Sequence, residues 1–205
     1  MFWWLVAFPV GFMVIVIVTA LLLGKRDRKK QLQQIEEDKQ NLMKNNPKQA
    51  ATDHLQQYKD FSEYLLTDVQ ITNKEIKGNI DILYLSKKGI FVIAVLGNSG
   101  DISGDLNGEY WVDKVNEEYA LKNPFPQNEK LLKSISNITN ENINLYNIVI
   151  VPNAKSINIA NNDDNVVKLS EFFPMIREYP DVYSDNDLMV IYNLIDNHIH
   201  RIDND

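Results

Sequence analysis

From Phe2 to Leu23 the chain runs for 22 residues without a charge, interrupted only by Pro9, Gly11 and Thr19. As a helix that run would reach roughly 33 Å, enough for a hydrocarbon core of about 30 Å. Trp3 and Trp4 stand at its outer end, where indole rings favour the membrane–water interface. Lys25, Arg26, Arg28, Lys29 and Lys30 follow it, opposed only by Asp27. A cleaved signal peptide carries its positive charge before a shorter apolar run and closes on a small-x-small site. Here all the charge comes after the run, and no such site closes it. The pattern predicts a retained transmembrane helix over residues 1–24. The positive-inside rule then puts the N-terminus outside and everything beyond the collar in the cytoplasm. The lipid bilayer is the first expected partner. The collar can also attract anionic lipid at about 1 kcal/mol per basic residue, although a topology signal is the simpler reading.

The 205 residues leave room for one ordinary domain behind this anchor. No cysteine is present, which excludes disulfides, thiolate-bound zinc, iron–sulfur clusters and a thiol nucleophile. The net charge of −7 is uneven: the first thirty residues carry +4, so the rest carry −11. An acidic body disfavours nonspecific nucleic-acid binding. Residues 25–49 read as the basic collar and a polar helical linker, and residues 50–205 as a cytoplasmic domain. Within the linker, Leu32, Ile35, Lys39 and Leu42 follow a 3-4-3 spacing. Two heptads with a lysine in the seam are short for a coiled coil. Two readings of residues 31–46 stay open: a solvated extension of the transmembrane helix ending near Asn45-Asn46-Pro47, or a homo-oligomer contact.

The domain reads as α/β. Leu55, Tyr58, Phe61, Leu65 and Leu66 fall at near-helical intervals after a possible Thr52 or Asp53 cap. Residues 79–85 read as a strand, then Ser-Lys-Lys-Gly as a turn. Residues 90–96 (IFVIAVL) are apolar on both faces, as in a covered central strand. Asn107-Gly108 lies between two short strands and predicts a two-residue hairpin turn. Residues 126–139 read as a helix, 146–151 as a buried strand, 166–169 as a short edge strand and 170–177 as a short helix. A final helix from Ser184-Asp185 would bury Leu188, Ile191, Leu194, Ile195 and Ile199 on one stripe. Helices on both sides of a mixed sheet make a three-layer domain.

Five motifs follow one another in order: Gly78-Asn79-Ile80-Asp81, Lys88-Gly89-Ile90-Phe91-Val92-Ile93, Gly100-Asp101-Ile102-Ser103-Gly104, Tyr110-Trp111 and Asn123-Pro124-Phe125-Pro126-Gln127-Asn128. Together, over roughly residues 50–151, they resemble the nuclease-related domain (NERD) family. The resemblance implies a restriction-endonuclease-like fold, in which an Asp and a following Glu-x-Lys on adjacent strands build a metal site. It makes Asp81 the first carboxylate and a candidate magnesium ligand, and Gln127 the glutamine of the Asn-Pro-x-x-Gln element. The family's Glu and Lys, however, fall on Ala94 and Leu96.

Phosphodiester hydrolysis at neutral pH calls for a divalent cation held by carboxylates, which polarises phosphate and acidifies water. An ammonium beside it stabilises developing charge. Side chains alternate along a strand, so Ile90, Val92, Ala94 and Leu96 share one face, and here that face is entirely apolar. One carboxylate beside Ala94 and Leu96 is a weak magnesium site. Burial would also raise the pKa of Asp81 unless it found donors.

Ligands could have moved to Glu75, Asp101, Asp105 or Glu109, with Lys87 and Lys88 in the adjoining turn, although exposed turn residues explain each of them. Thr52-Asp53 is the nearest counterpart of the family's early Gly-Glu pair, and helix capping explains it as well. His198 and His200 diverge at i, i+2 and fall short of a zinc site. Asn161–Asn165 lacks the glycine and terminal glutamate of a calcium loop. Asn137-Ile138-Thr139 fits a glycosylation pattern that would face the cytoplasm.

The sequence therefore predicts a membrane-anchored, cytoplasm-facing domain that has lost its catalytic pair and serves as a binding or assembly module. It would use no cofactor and meet a protein partner at the membrane. Two other readings stand beside this one: a magnesium-dependent nuclease with relocated ligands, and a structural homo-oligomer.

Overall fold

A computed structural model of the chain describes residues 28–72, 77–115, 118–139 and 143–201. The predicted membrane segment, with the collar up to Asp27, lies outside these residues. Among the described residues no helix is long and apolar enough to cross a membrane. Residues 28–45 are helical (α1), and Leu32 and Ile35 are exposed on it.

The second of two compact units begins at Leu42. The residue before a proline is pushed out of helical geometry, and Asn46, just before Pro47, leaves the helix at φ −143°. Its side chain accepts from the Gln49 N–H and starts α2 (Pro47–Tyr58). The cap is therefore Asn46, whereas Thr52 and Asp53 lie inside the helix. α2 also ends earlier than the apolar spacing suggests, because Leu65 and Leu66 belong to a strand, β1 (Tyr64–Thr72). Their helical interval from Leu55 and Tyr58 is coincidental.

β2 (Lys77–Ser86) and β3 (Gly89–Val95) form a hairpin across Lys87 and Lys88, with Ser86 opposite Gly89. Next come β4 (Asp101–Asp105), β5 (Tyr110–Lys114), β6 (Glu118–Lys122), α3 (Phe125–Ile138) and β7 (Leu145–Ile150). The chain closes with β8 (Ser156–Ala160), β9 (Val166–Val167), α4 (Leu169–Arg177), α5 (Asp185–Asp196) and β10 (Ile199–Arg201).

The strands make two mixed sheets, where one was expected. The larger has the order β10-β1-β2-β3-β7-β9, and the smaller β6-β5-β4-β8. On one face of the larger sheet Leu83, Leu85, Ile90 and Val92 pack under Leu131 and Ile135 of α3 and Leu188, Ile191 and Ile195 of α5. On the other, Ile82, Tyr84, Phe91 and Ile93 pack under Ala51 and Leu55 of α2 and Phe172 and Phe173 of α4. These layers are the ones anticipated. A third core joins the sheets, where Ala94, Val149 and Val151 meet Ile102, Trp111 and Ile159.

Two further expectations need correction. The β4–β5 connection is a turn from Asp105 to Gly108, with Asn107 N–H donating to the Asp105 carboxylate at 2.8 Å, so it is longer than two residues. Ile199 is buried in β10 and not on the α5 stripe, where Leu194 is half-buried. His198 therefore caps the end of α5, its Nδ1 lying 2.7 Å from the Leu194 carbonyl, while His200 belongs to the following strand.

Candidate functional site

A cleft of about 230 Å³ opens where β2, β3, the end of β6 and the start of α3 converge. Its walls are Asn79, Asp81, Ala94, Lys122, Asn123, Pro124, Gln127 and Asn128. Both candidate site residues, Asp81 of β2 and Gln127 of the first turn of α3, thus line one cleft, together with Ala94 of β3.

The β1–β2 ladder is irregular at Asp81. Thr67 pairs with Ile82 and Val69 with Ile80, leaving Asp68 and Asp81 as the opposed step between. Asp68 takes a left-handed backbone at φ +52°, uncommon outside glycine but best tolerated by Asn and Asp. Side-chain parity slips on both strands here. Ile80 joins the α3/α5 core and Ile82 the opposite one, and Leu66 and Val69, three apart, share a core. Asp81 consequently leaves the expected alternation: its carboxylate reaches the end of β3 and accepts from the Val95 N–H at 2.9 Å. Burial, the largest influence, raises its pKa above the ordinary 3.8; the Val95 N–H and the Lys48 charge act against that, and the Asp68 charge adds to it. Lys48, on the first turn of α2, forms an ion pair with Asp68.

Ala94 is buried against the joining core, and Leu96 packs half-buried beside it. Neither carries an acceptor toward the cleft. Lys122, at the end of β6, is exposed in the cleft wall. It is the ammonium that sequence reasoning missed, since nothing in its local pattern points to Asp81.

The Asn123–Asn128 element is largely architectural. Asn123 Nδ2 donates to the Leu106 and Gly108 carbonyls at 2.8 and 2.7 Å, and its Oδ1 accepts from the Phe125 N–H at 2.9 Å. It thereby fastens the β4–β5 turn to α3. The Gln127 and Asn128 N–H groups turn back to the Pro124 carbonyl, and Pro126 has no N–H. The N-terminus of α3 therefore offers few free donors to an anion. Asn128 is buried on the cleft floor, within 3.4 Å of the Val92 and Ile148 carbonyls. The Gln127 side chain is exposed to the cleft.

The other acids and lysines considered lie away from the cleft walls. Asp101 accepts from Ser156 Oγ at 2.6 Å, which lowers its pKa, and pairs with Lys155 at 3.3 Å. Asp105 holds Asn107 and Asn161. Lys87 pairs with Asp185 at 2.8 Å and Lys88 with Asp181 at 3.0 Å. Glu109 is exposed, and Glu75 lies outside the described residues.

Magnesium wants oxygen ligands converging at about 2.0–2.1 Å, usually one or two carboxylates plus waters. The residues here fit it poorly. Asp81 already gives one oxygen to Val95, Ala94 supplies none, and Asp68 is engaged by Lys48. Among the described residues no three His, Asp or Glu side chains gather as a metal site.

The model of the nuclease-related domain family matches residues 44–152, just over half the chain, and spans every residue of this cleft. No curated protein and no solved structure matches the chain.

Proposed function

The chain belongs to the nuclease-related domain family, and on that premise we propose that it is a catalytically degenerate member serving as a binding or assembly module. Ala94 in the cleft wall beside Asp81 carries this reading. Where hydrolysis needs a second oxygen ligand there is a methyl group, and Leu96, at the following position on that face, is also apolar. The surviving cleft pairs one carboxylate and one ammonium with the amides of Asn79, Gln127 and Asn128, a set suited to hydrogen-bonded recognition. Its arrangement of helices over a mixed sheet is compatible with a restriction-endonuclease-like fold. The apolar run Phe2–Leu23 and its basic collar place the module at the cytoplasmic face of the cell membrane in this reading, with a protein partner there.

The test is to incubate the full-length chain, in mild detergent, with single- and double-stranded DNA and Mg²⁺ or Mn²⁺. The expected result is no cleavage. Metal-dependent cleavage that disappears in Asp81→Ala would overturn the reading. Lys122 favours a second reading, a nuclease with relocated ligands, because it restores an ammonium to the cleft that Leu96 lost. In that case cleavage would also fall in Lys122→Ala.

A further inference from the structure

Asp68 and Asp81 oppose each other at the one step where the β1–β2 pairing lapses. Like charges directly opposite on a sheet repel, and this pair is partly shielded from water: the Asp68 side chain is 25% exposed and Asp81 is half-buried. A cation beside them relieves that repulsion. The structure provides Lys48, carried in from α2, whose ammonium ion-pairs with Asp68 and whose charge also favours the ionised form of Asp81. A positive charge held by one carboxylate and close enough to act on a second reproduces in part the electrostatic pattern of a divalent-metal site, with the charge here covalently attached.

We propose that Lys48 is a resident counter-ion for the Asp68–Asp81 pair, standing in the place of a metal ion and excluding one. A tethered ammonium loses no translational freedom on pairing, and it repels any divalent cation approaching the same oxygens. It also ties the first turn of α2 to β1. The inference extends the degenerate-site reading and rests on it in treating Asp81 as a carboxylate that no longer holds a metal.

The test measures the Tm of the full-length chain in mild detergent, with and without 10 mM MgCl₂ or MnCl₂ at matched ionic strength (about 10 mM being ample for a millimolar site). The wild type and Lys48→Arg should show no metal-dependent change. Lys48→Met should melt lower without metal and recover by about 3–6 °C with it, the shift for an ion at roughly ten times its dissociation constant. That recovery should vanish in Lys48→Met/Asp68→Asn. If Lys48→Met does not fold without metal, refolding in Mg²⁺ or Mn²⁺ supports the proposal and continued unfolding in both overturns it. It is equally overturned if folded Lys48→Met gains nothing, or if the wild type gains as much. Metal binding by the wild type without DNA cleavage would sink this inference alone, whereas cleavage would sink the functional reading too.

Discussion

Asp81 makes a hydrogen bond and bears a burial penalty at once, and two substitutions separate these. Its folded pKa lies above the ordinary 3.8, chiefly through burial. A raised carboxyl contributes stability that is complete below the unfolded pKa and is lost as pH rises through the folded value. Asparagine keeps an oxygen for the Val95 N–H and carries no charge. Asp81→Asn should therefore melt at or above the wild type at pH 7.5, and that advantage should shrink toward pH 4. Asp81→Ala leaves the Val95 N–H without its partner and should lose about 1–3 kcal/mol at both values. Urea melts of the three proteins at each pH give the comparison; equal losses for Asn and Ala would refute it. Ala94 and Leu96 could be placed from the sequence because a strand's alternation fixes them, and Asp81 because an ordered motif does, although its side chain departs from the alternation. Lys48, Asp68 and Lys122 could not. Each reaches the region from a different element, and the parity slip at Asp68 leaves no trace in hydrophobic spacing.

At the level of elements, the glycine and asparagine motifs turn out to be fasteners within the smaller sheet and between its β4–β5 turn and α3. An added Cβ at Gly100 would lie 2.2 Å from Asp113 Oδ1 and 2.5 Å from the Lys114 carbonyl, and at Gly104 2.6 Å from Trp111 Cδ1. Gly104 thus lets β4 lie against the buried indole, whose Nε1 donates to the Asp105 carbonyl at 2.9 Å. Asn123 holds the far end of this hairpin. Asn123→Ala removes three hydrogen bonds at a buried position and should cost about 2–4 kcal/mol. The loss should appear as a lower urea midpoint with an unchanged slope, and a change under 0.5 kcal/mol would contradict the assignment (roughly the surface-substitution range). The buried strands β3 and β7, with α3, α4 and most of α5, were legible because long apolar runs and helical stripes report burial directly. β6, β8 and β10 were not, being short strands whose pairing is set by partners far along the chain. β1 was misread because its first leucines continue the α2 spacing and no glycine or proline marks the turn between. The family match ends at residue 152, yet α4 and α5 beyond it cover both faces of the larger sheet.

For the whole molecule the governing quantity is the distribution of charge. Five basic residues fall between Lys25 and Lys30, none precedes the apolar run, and the chain from residue 31 onward carries −11. Orientation in a membrane follows Lys and Arg flanking the span, with acidic residues counting little. The acidic body therefore does not oppose the collar in setting topology. It does oppose DNA: neutralising phosphates requires clustered Lys and Arg, and the only dense cluster in this chain lies beside the apolar run. The first consequence is the basis of the proposed cytoplasmic placement, and the second weighs against a module that grips nucleic acid. A reporter active only in the cytoplasm should accordingly work when fused after Asp205, and one active only outside should be silent. Replacing Lys25, Arg26, Arg28, Lys29 and Lys30 with glutamine and adding lysines after Met1 should reverse the pair. An exterior signal from the unaltered collar would refute the orientation and, with it, the cytoplasmic placement of the cleft.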